Sequence, residues 1–448
     1  MTGSRRPAAP GPGRARPARI RPLTLGDDLE AELDLARRAF GPLDDAGKVS
    51  RMAETRAAVA DGRYYAAVAG EDLVAVALYH DMRQWWHGRS LRMAGVGGVK
   101  VAPEQRGRGI GSALMSELLQ VIAGLGYPLS ALFPATAPIY RALGWELAGG
   151  LYRAVVPARS LASLAPWDDA GGAVPELRRA GPGDADAVIG VIGGVHESAR
   201  HCGPATHDAG TLRRWWLDDE NLFCYLAPDG FLAYGWHGGR SELLVRWALA
   251  GSAPTTRAIW STIGSHASIA ERVRAVVGPD DPVGWLTREP DVGMVRREPW
   301  MLRVVDAAAA IAGRGFPGAA ELAVRLQLDD AQLPGNAGRW TLEISGGKGA
   351  LSASGAGPGG GARQGSGWCR AGPAGRPRLR RPVRGHPDGH AAPGRAGRGR
   401  RRRRRRRAGH RVRRAGLPAR RLLRTAGPPG GPPGDTPRGL AARRRPSR

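Results

Sequence analysis

A strand followed by a glycine-rich turn and an amphipathic helix is the feature that most constrains how this chain folds. The strand ends at Val99-Lys100-Val101, the turn runs from Arg106 to Gly111, and the helix continues over residues 112–119. Such a turn directs unpaired backbone N–H groups at one point, where the helix dipole adds partial positive charge. We therefore expect a phosphate site, most usefully for a pyrophosphate, over which Arg106 and Arg108 can close.

The glycine spacing in this turn excludes two common nucleotide sites. The turn does not read G-x-x-x-x-G-K-[ST], which disfavours a P-loop nucleoside triphosphatase. It also lacks the G-x-G-x-x-G pattern with a distant acidic residue that marks a dinucleotide site. In a chain with 67 glycines, an ordinary strand-to-helix turn is the alternative interpretation.

The neighbouring segments favour a specialised site. The preceding strand, Met93–Val101, contains paired glycines, which predict a bulge or a close backbone approach. After the helix come a strand at Leu129–Pro134 and the segment Ala137-Pro138-Ile139-Tyr140-Arg141-Ala142-Leu143-Gly144-Trp145. A tyrosine hydroxyl here is a plausible general acid, although Tyr140 could also be a half-buried aromatic that packs its helix on the sheet.

Arg106-x-x-Gly109-x-Gly111 resembles the R/Q-x-x-G-x-G/A pattern of the GNAT superfamily of N-acetyltransferases, and the Tyr140 segment resembles that family's I-Y-x-x-x-G-[FYW]. The resemblance implies that acetyl-coenzyme A is the cofactor and that its pantetheine arm lies along a splayed strand. It also implies that Tyr140 protonates the departing thiolate. The implied cofactor-binding residues are Val99, Val101, Arg106, Gly107, Arg108, Gly109 and Gly111.

Net charge divides the chain into a near-neutral body and a basic tail. The last hundred residues hold 28 arginines and two aspartates, so they carry almost the whole net charge of +27. Their Gly, Ala, Pro and Arg composition cannot bury enough apolar surface to fold. Three interpretations remain: a nucleic-acid-binding arm without sequence specificity, a solvated tail, or a GC-rich coding region read out of frame.

The order of predicted strands and helices divides the body into units. We predict a disordered leader at 1–18 and a GNAT domain at 19–160, closed by the strand Leu151–Val156. A linker at Pro166–Ala173 precedes a degenerate GNAT-like domain at 174–297, which lacks the glycine turn before its helix at Pro254. A partial third domain at 298–353 and a disordered tail at 354–448 follow. The fold class is α/β (α+β), with mixed twisted sheets.

An active and a degenerate GNAT unit followed by Trp300-x-Leu302-Arg303-x-Val305-Asp306 resemble the enhanced-intracellular-survival (Eis-type) acetyltransferases. The resemblance implies a sterol-carrier-like third domain, a homo-oligomer, and acceptors that are aminoglycoside or lysine-like primary amines. In that family the carboxylate of the last residue is the general base. Here the third unit is incomplete and the chain ends in a cationic tail, so no position inherits that role and we expect weak or absent aminoglycoside turnover. A coenzyme-A-binding pseudoenzyme is an alternative.

The sequence supports the candidates for the acceptor pocket less strongly than those for the phosphate site. Trp85 and Trp86 could form an aromatic wall or cover the end of the sheet, and Asp27 could hold an amine or serve as a helix cap. The three cysteines show no paired spacing, so we expect neither a metal site nor a disulfide framework, and a reducing cytoplasm is the default. No apolar run is long enough for a membrane span or a signal peptide.

Overall fold

A computed structural model describes residues 18–164, 175–237, 241–278, 281–287, 293–354 and 369–371. The predicted leader up to residue 17, the predicted linker and most of the predicted tail lie outside these residues. The described part of the chain is a mixed α/β fold built on one large sheet and one small sheet.

The first unit follows the order expected from the sequence up to its last strand. Helix α1 begins after Asp28, whose carboxylate accepts the N–H groups of Glu30 and Ala31, and α2 begins after Asp44 in the same way. The elements are β1 (Arg19–Pro22), α1 (Leu29–Phe40), α2 (Asp45–Ala60), β2 (Tyr64–Ala69), β3 (Asp72–Trp86), β4 (Arg89–Val101), α3 (Ile110–Gly124), β5 (Leu129–Leu132), α4 (Ala137–Ala142), β6 (Glu146–Pro157) and α5 (Ala158–Ala162).

The second unit repeats the strand–helix order of the first, with a strand at Cys202–His207 in the place of the second helix and with shorter central strands. A π-helical turn at Arg213–Leu217 extends α7 and buries Trp215 and Trp216. The elements are β7 (Arg178–Arg179), α6 (Ala185–Ser198), β8 (Cys202–His207), α7 (Ala209–Leu212), β9 (Phe223–Ala227), β10 (Gly230–His237), β11 (Glu242–Ala250), α8 (Ala253–Gly264), β12 (Arg272–Val277), α9 (Val283–Leu286) and β13 (Gly293–Val304).

The third unit docks on the helix that follows the glycine turn. Gln332 contacts Ser116 and Gln120 of α3, and Leu333 is buried in the core beneath that helix. Asp330 holds the buried Arg303 through two hydrogen bonds of 2.7 and 2.8 Å. The elements are α10 (Ala307–Gly313), β14 (Leu322–Leu328), β15 (Gly338–Ser345), β16 (Lys348–Ala353) and the backbone strand β17 (Cys369–Ala371), and the strands form a sheet in the order β16-β15-β14-β17.

Strand β13 joins the first two units in a way that the sequence did not predict. In the described residues the large sheet runs β1-β2-β3-β4-β5-β13-β6-β12-β11-β10-β9-β7, with β8 paired to β3. Thus β6, expected to close the first sheet, pairs with β13 and β12, while β13 pairs with β5. The boundary predicted at residue 297 therefore falls inside a strand. The insertion of β13 between β5 and β6 depends on pairing between segments far apart in the chain, which local sequence patterns do not encode.

Helix α3 anchors the first core. Leu114, Met115, Leu118, Leu119 and Ile122 are fully buried, and burying each such side chain is worth about 1.5–3 kcal/mol. They pack on the face of β3 and β4 opposite α1 and α2. The helix that follows the glycine turn is consequently fixed at its base, while its N-terminus stays at the surface.

Candidate active site

Strands β4 and β5 separate at the point where the glycine-rich strand bulges. Their parallel pairing ends at Val96 and Leu132. On the other side of β4, the register with β3 shifts between Gly97 and Lys100, so two residues of β4, Gly98 and Val99, lie opposite the single residue Ala77 of β3. Beyond Val96 the edge of β4 facing β5 therefore has no strand partner in the described residues. This geometry leaves backbone groups around Val99 and Val101 available to an extended ligand.

The turn after β4 presents a helix N-terminus without a side-chain cap. Gly109 is the N-cap of α3 and has a φ of +78°, and Gly107 has a φ of +77°, both in the left-handed region. No side chain of the described residues accepts the first N–H groups of α3. Gly111 lies close to Val101: a Cβ atom added to Gly111 would be only 3.2 Å from the Cγ2 atom of Val101.

Two arginines flank this open N-terminus. Arg106 Nε donates to the carbonyl of Val101 at 3.3 Å, and Arg108 donates to the Gln105 side chain at 3.1 Å. Both side chains are exposed, and neither has a carboxylate partner among the residues described. Their remaining N–H groups are free to bind an anion. The structure therefore brings together all the residues predicted for the phosphate site.

Tyr140 lies on α4, just after β5, and is 6% exposed. It lines a cavity of about 1870 Å³ that also includes Val99 and Phe133. Within the described chain its hydroxyl has no hydrogen-bond partner, and burial raises the pKa of Tyr140 to about 12. The hydroxyl consequently stays protonated at neutral pH and can donate a proton into the cavity.

The two predicted acceptor tryptophans lie on opposite faces of β3. Trp86 lines the cavity, with its ring 5.4 Å from the Arg314 guanidinium and its indole N–H donating to Gln84. Trp85 points the other way and packs against α6, where its ring lies near Gly193 and His196. Because successive strand residues alternate between faces, the two cannot form one wall.

Asp27 serves as a turn cap rather than lining the cavity. Its carboxylate accepts two hydrogen bonds from Arg21 and two from Thr24. The Arg21 hydrogen bonds hold the pKa of Asp27 well below its usual range. Asp27 thus holds the turn that leads into α1, whose N-cap is Asp28, while Asp44 caps α2 and also lines the cavity.

A buried ion pair lies next to the bulge on the face of the sheet that α1 and α2 cover, opposite α3. Lys100 and Glu32 are both buried and in direct contact, and Tyr64 donates to Glu32 at 2.6 Å. Burial lowers the pKa of Lys100 to about 7. Burial opposes ionisation of Glu32 as well, but the charges of Lys100 and Arg51 bring the pKa of Glu32 down to about 2. The sequence analysis assigned no role to this pair.

The cavity also holds three residues that sequence reasoning missed. His80 on β3, His207 on β8 and Trp215 in the π-helical turn all line it. The ring centroids of the two histidines are 5.1 and 4.7 Å from that of Trp215. Alternation along β3 could have placed His80 on the face of Met82 and Gln84. No local sequence pattern predicted that β8 of the second unit would pair with β3.

The second unit has a related splay with a closed helix N-terminus. The parallel pairing of β11 and β12 ends at Val245 and Ala275, beside a bulge in β11. Helix α8 then begins after Ser252, which accepts the N–H of Thr255, and Pro254 removes another N–H. The hydroxyl of Thr255 also donates to the Asp229 carboxylate. The chain's own groups thus occupy the position that is open in α3.

Among the residues that the structure describes, no helix has both the length and the apolar character required to cross a membrane.

Comparison with known proteins identifies the same two units. Residues 19–148 match the family described as "Acetyltransferase (GNAT) domain", and residues 209–304 match a second family with the same description. The N-acetyltransferase Eis of Mycobacterium tuberculosis is 29% identical over 301 residues, which cover 62% of this chain and 70% of Eis.

Solved structures extend the similarity. A GCN5-related N-acetyltransferase from Kribbella flavida is 38% identical, with a TM-score of 0.72 over 80% of this chain and 87% of its own. Eis1 from Mycobacterium abscessus shares the fold, with a TM-score of 0.57 and 24% identity over 75% of this chain and 85% of its own. Both the tandem units and these relatives lead to one conclusion: the chain belongs to the GCN5-related (GNAT) family and is an Eis-like N-acetyltransferase.

Proposed function

We propose that this protein transfers an acetyl group directly from acetyl-coenzyme A to a primary amine, with the donor bound only by the first unit. The observation that carries the proposal is that three features meet where β4 and β5 separate, inside the large sheet. They are the splay beyond Val96, the uncapped N-terminus of α3 and the hydroxyl of the buried Tyr140. Each suits a different part of a long thioester with a pyrophosphate.

The residues present fit such a donor. The backbone N–H groups at the start of α3, which no described side chain caps, suit a pyrophosphate together with Arg106 and Arg108 beside them. The unpaired edge at Val99 and Val101 suits an amide-bearing arm that adds to a strand. The donor supplies an activated acetyl thioester when bound.

The protein's own groups have the following proposed roles. Backbone N–H groups near Val99 orient the donor and polarise its carbonyl. Tyr140 donates its proton to the departing sulfur, since its raised pKa keeps the hydroxyl intact at the pH of the reaction. Trp86 forms part of the wall against which the acceptor lies. The acceptors implied by the resemblance are aminoglycoside or lysine-like amines.

The pyrophosphate site is tested with a matched pair of glycine substitutions on α3. Gly109 and Gly126 lie at opposite ends of the helix, with φ values of +78° and +73°, and a Cβ at either would meet nothing within 4 Å. Gly109→Ala and Gly126→Ala therefore carry a similar backbone strain, of about 1 kcal/mol.

Calorimetric titration of both variants with coenzyme A separates binding from strain. We expect Gly109→Ala to weaken binding about tenfold or more, because the N–H groups at the turn are displaced, and Gly126→Ala to bind like the wild type. Equal affinities for the two variants would contradict the proposed site. No binding by the wild type would contradict the proposed function as a whole.

A further inference from the structure

A loop of the third unit lies between the two helices on which the proposed chemistry depends. We call residues 330–336, which connect β14 to β15, the bridging loop. On one side the carbonyl of Gln332 accepts a hydrogen bond of 2.8 Å from Gln120 of α3, the helix whose N-terminus forms the proposed donor site. On the other side the loop reaches the turn that follows α4, the helix that carries Tyr140.

The bridging loop reaches α4 through one buried ion pair. The Nη2 atom of Arg303 lies 2.7 and 2.8 Å from the two carboxylate oxygens of Asp330, and the two side chains are 8% and 9% exposed. The same carboxylate accepts hydrogen bonds from the backbone N–H groups of Gln332 and Leu333 and from the side chain of Asn336. The loop therefore fixes the carboxylate, and the carboxylate fixes the guanidinium.

The guanidinium of Arg303 packs against Gly144, two residues after the end of α4. A Cβ atom added to Gly144 would lie 2.9 Å from both the Cζ and the Nε atoms of Arg303, so the guanidinium occupies the space of a side chain there. Gly144 has a φ of +90°, which glycine adopts without strain. In the described chain the buried Nε of Arg303 has no hydrogen-bond partner, so Asp330 and the carbonyl of Val304 hold the group in place.

Gly144 belongs to the turn that fixes the backbone of Tyr140. The N–H groups of Leu143 and Trp145 both donate to the carbonyl of Tyr140, each at 3.0 Å. These three residues share one buried cluster with Leu333 of the bridging loop. Within the described residues the hydroxyl of Tyr140 makes no hydrogen bond. Its position therefore depends on the turn and on the packing of the ring.

Helix α4 is too short to set its own position. It has six residues, and no side chain of the described residues caps its N-terminus. Helices of this length depend on tertiary packing. Strand β13 supplies that packing, because it pairs with β5 before α4 and with β6 after it. Arg303 lies on β13, so it contacts the turn after α4 from the strand that frames the whole segment.

We propose that Arg303 and Asp330 are positioning residues for the acetyl transfer, which hold the turn after α4 so that the hydroxyl of Tyr140 faces the departing sulfur. The inference rests on the proposed function, because it concerns the acid of that reaction. Neither residue is among the described residues that line the cavity, so the pair acts through Tyr140 and touches no reactant. Through the bridging loop, the third unit sets the position of the acid relative to the donor site at α3.

The first test compares Asp330→Asn with Glu242→Gln. Each variant replaces a buried carboxylate by its amide; Glu242 lies in the second unit, is 4% exposed and binds Arg272 and Arg274. Kinetics use saturating acetyl-coenzyme A with kanamycin and with N-α-acetyl-lysine amide, and calorimetry measures coenzyme A affinity. We expect Asp330→Asn to lower kcat about tenfold to a hundredfold, since a displacement of about 1 Å has such an effect. Coenzyme A affinity stays unchanged, and Glu242→Gln keeps the wild-type kcat.

Combination with Tyr140→Phe shows whether the pair acts through the acid. Once the hydroxyl of Tyr140 is absent, its position no longer matters. We therefore expect Asp330→Asn combined with Tyr140→Phe to have the kcat of Tyr140→Phe alone, within about twofold. A role in stability alone would instead make the two losses in kcat multiply.

Arg303→Lys gives a second and milder variant. It keeps a positive charge beside Asp330 but has no guanidinium to pack against Gly144. We expect a loss in kcat of about threefold to tenfold, which again disappears in the Tyr140→Phe background. Melting curves show whether each variant is folded, and Arg303→Lys decides the matter if Asp330→Asn is not.

The possible outcomes separate this inference from the function beneath it. Wild-type kcat in a folded Asp330→Asn variant, or losses that multiply in the double variant, would overturn the inference. Unfolding of both Asp330→Asn and Arg303→Lys overturns it too, because the pair would then hold the whole fold and not α4 in particular. A wild type that does not bind coenzyme A, or that acetylates neither amine, refutes the proposed function and this inference with it. Wild-type turnover by Tyr140→Phe refutes the proposed acid in the same way.

Discussion

The N-termini of α3 and α8 follow equivalent splayed strands but differ in what occupies them. At α3 the N-cap is Gly109, and no side chain of the described residues accepts the first N–H groups. At α8, Ser252 caps Thr255, and Pro254 has no N–H to offer. Under the proposed function, this difference explains why only α3 would bind a phosphate. The splay and the bulge persist in the second unit, but polar side chains of that unit satisfy the start of its helix.

The second unit nevertheless contributes to the cavity of the first. His207 and Trp215 come from the second unit and line the same cavity as Tyr140. Strand β13 enters the first sheet beside β5, directly next to the splay. We interpret the first unit as the proposed donor site and the second as a wall of the acceptor site.

The largest expected effect concerns the support beneath the bulge in the first unit. Lys100→Met leaves the buried carboxylate of Glu32 without its lysine, and we expect a loss of about 3–5 kcal/mol in unfolding free energy. Chemical denaturation measures this loss. Glu32→Gln combined with Lys100→Met is the control, because it removes both charges and should recover part of the stability. A loss below about 1 kcal/mol in Lys100→Met would contradict the role of the pair.

Removing the proposed acid separates chemistry from binding. Tyr140→Phe keeps the buried ring but has no proton to donate, so we expect kcat to fall about 10²–10³-fold with coenzyme A affinity unchanged. Tyr152→Phe, which alters another tyrosine on the same cavity, is the control and should retain its rate. Wild-type turnover by Tyr140→Phe would show that another group protonates the sulfur.

Stability is expected to fall in acid because of histidines at the junction of the units. Burial lowers the pKa of both His207 and His196 to about 4. The unfolded chain, with histidine pKa values near 6.5, therefore binds more protons between about pH 4 and 6.5. We expect each histidine to remove up to about 1.4 kcal/mol per pH unit as the pH falls through that range. Denaturation from pH 7 to pH 4 measures this, and His207→Phe should have a shallower slope.

The smallest effect concerns the closed helix of the second unit. Ser252→Ala removes the cap of α8 and should cost about 1 kcal/mol in stability. Coenzyme A affinity should not change, because α8 is not a donor site in this account. Tighter binding of coenzyme A by Ser252→Ala would show that the cap alone blocks a second functional site.

The local part of the site was predictable from the sequence, but the long-range part was not. The turn from Arg106 to Gly111 contains glycines at positive φ and a helix start, which depend on adjacent residues, so its geometry could be anticipated. The insertion of β13 and the pairing of β8 with β3 depend on contacts between residues more than a hundred positions apart. His80 was missed for this reason, since its partners come from the second unit.

The sequence did not reveal that two adjacent aromatic residues lie on opposite faces of one strand. The sequence allowed Trp85 and Trp86 either to form one aromatic wall or to cover the end of the sheet, but the alternation of β3 sends Trp85 toward α6 and leaves only Trp86 of the two in the cavity. Asp27 shows that a carboxylate near a helix start can be fully engaged by its own turn. The positions of neighbouring groups decide whether such a side chain faces the cavity, and composition does not reveal those positions.

The stoichiometry of coenzyme A binding tests the contrast between the two helices most directly. Calorimetric titration of the intact protein should give one site per chain, and Gly109→Ala should weaken that site while Ser252→Ala leaves it unchanged. Two sites per chain, or one site that survives Gly109→Ala with wild-type affinity, would contradict the assignment of the donor to the open end of α3.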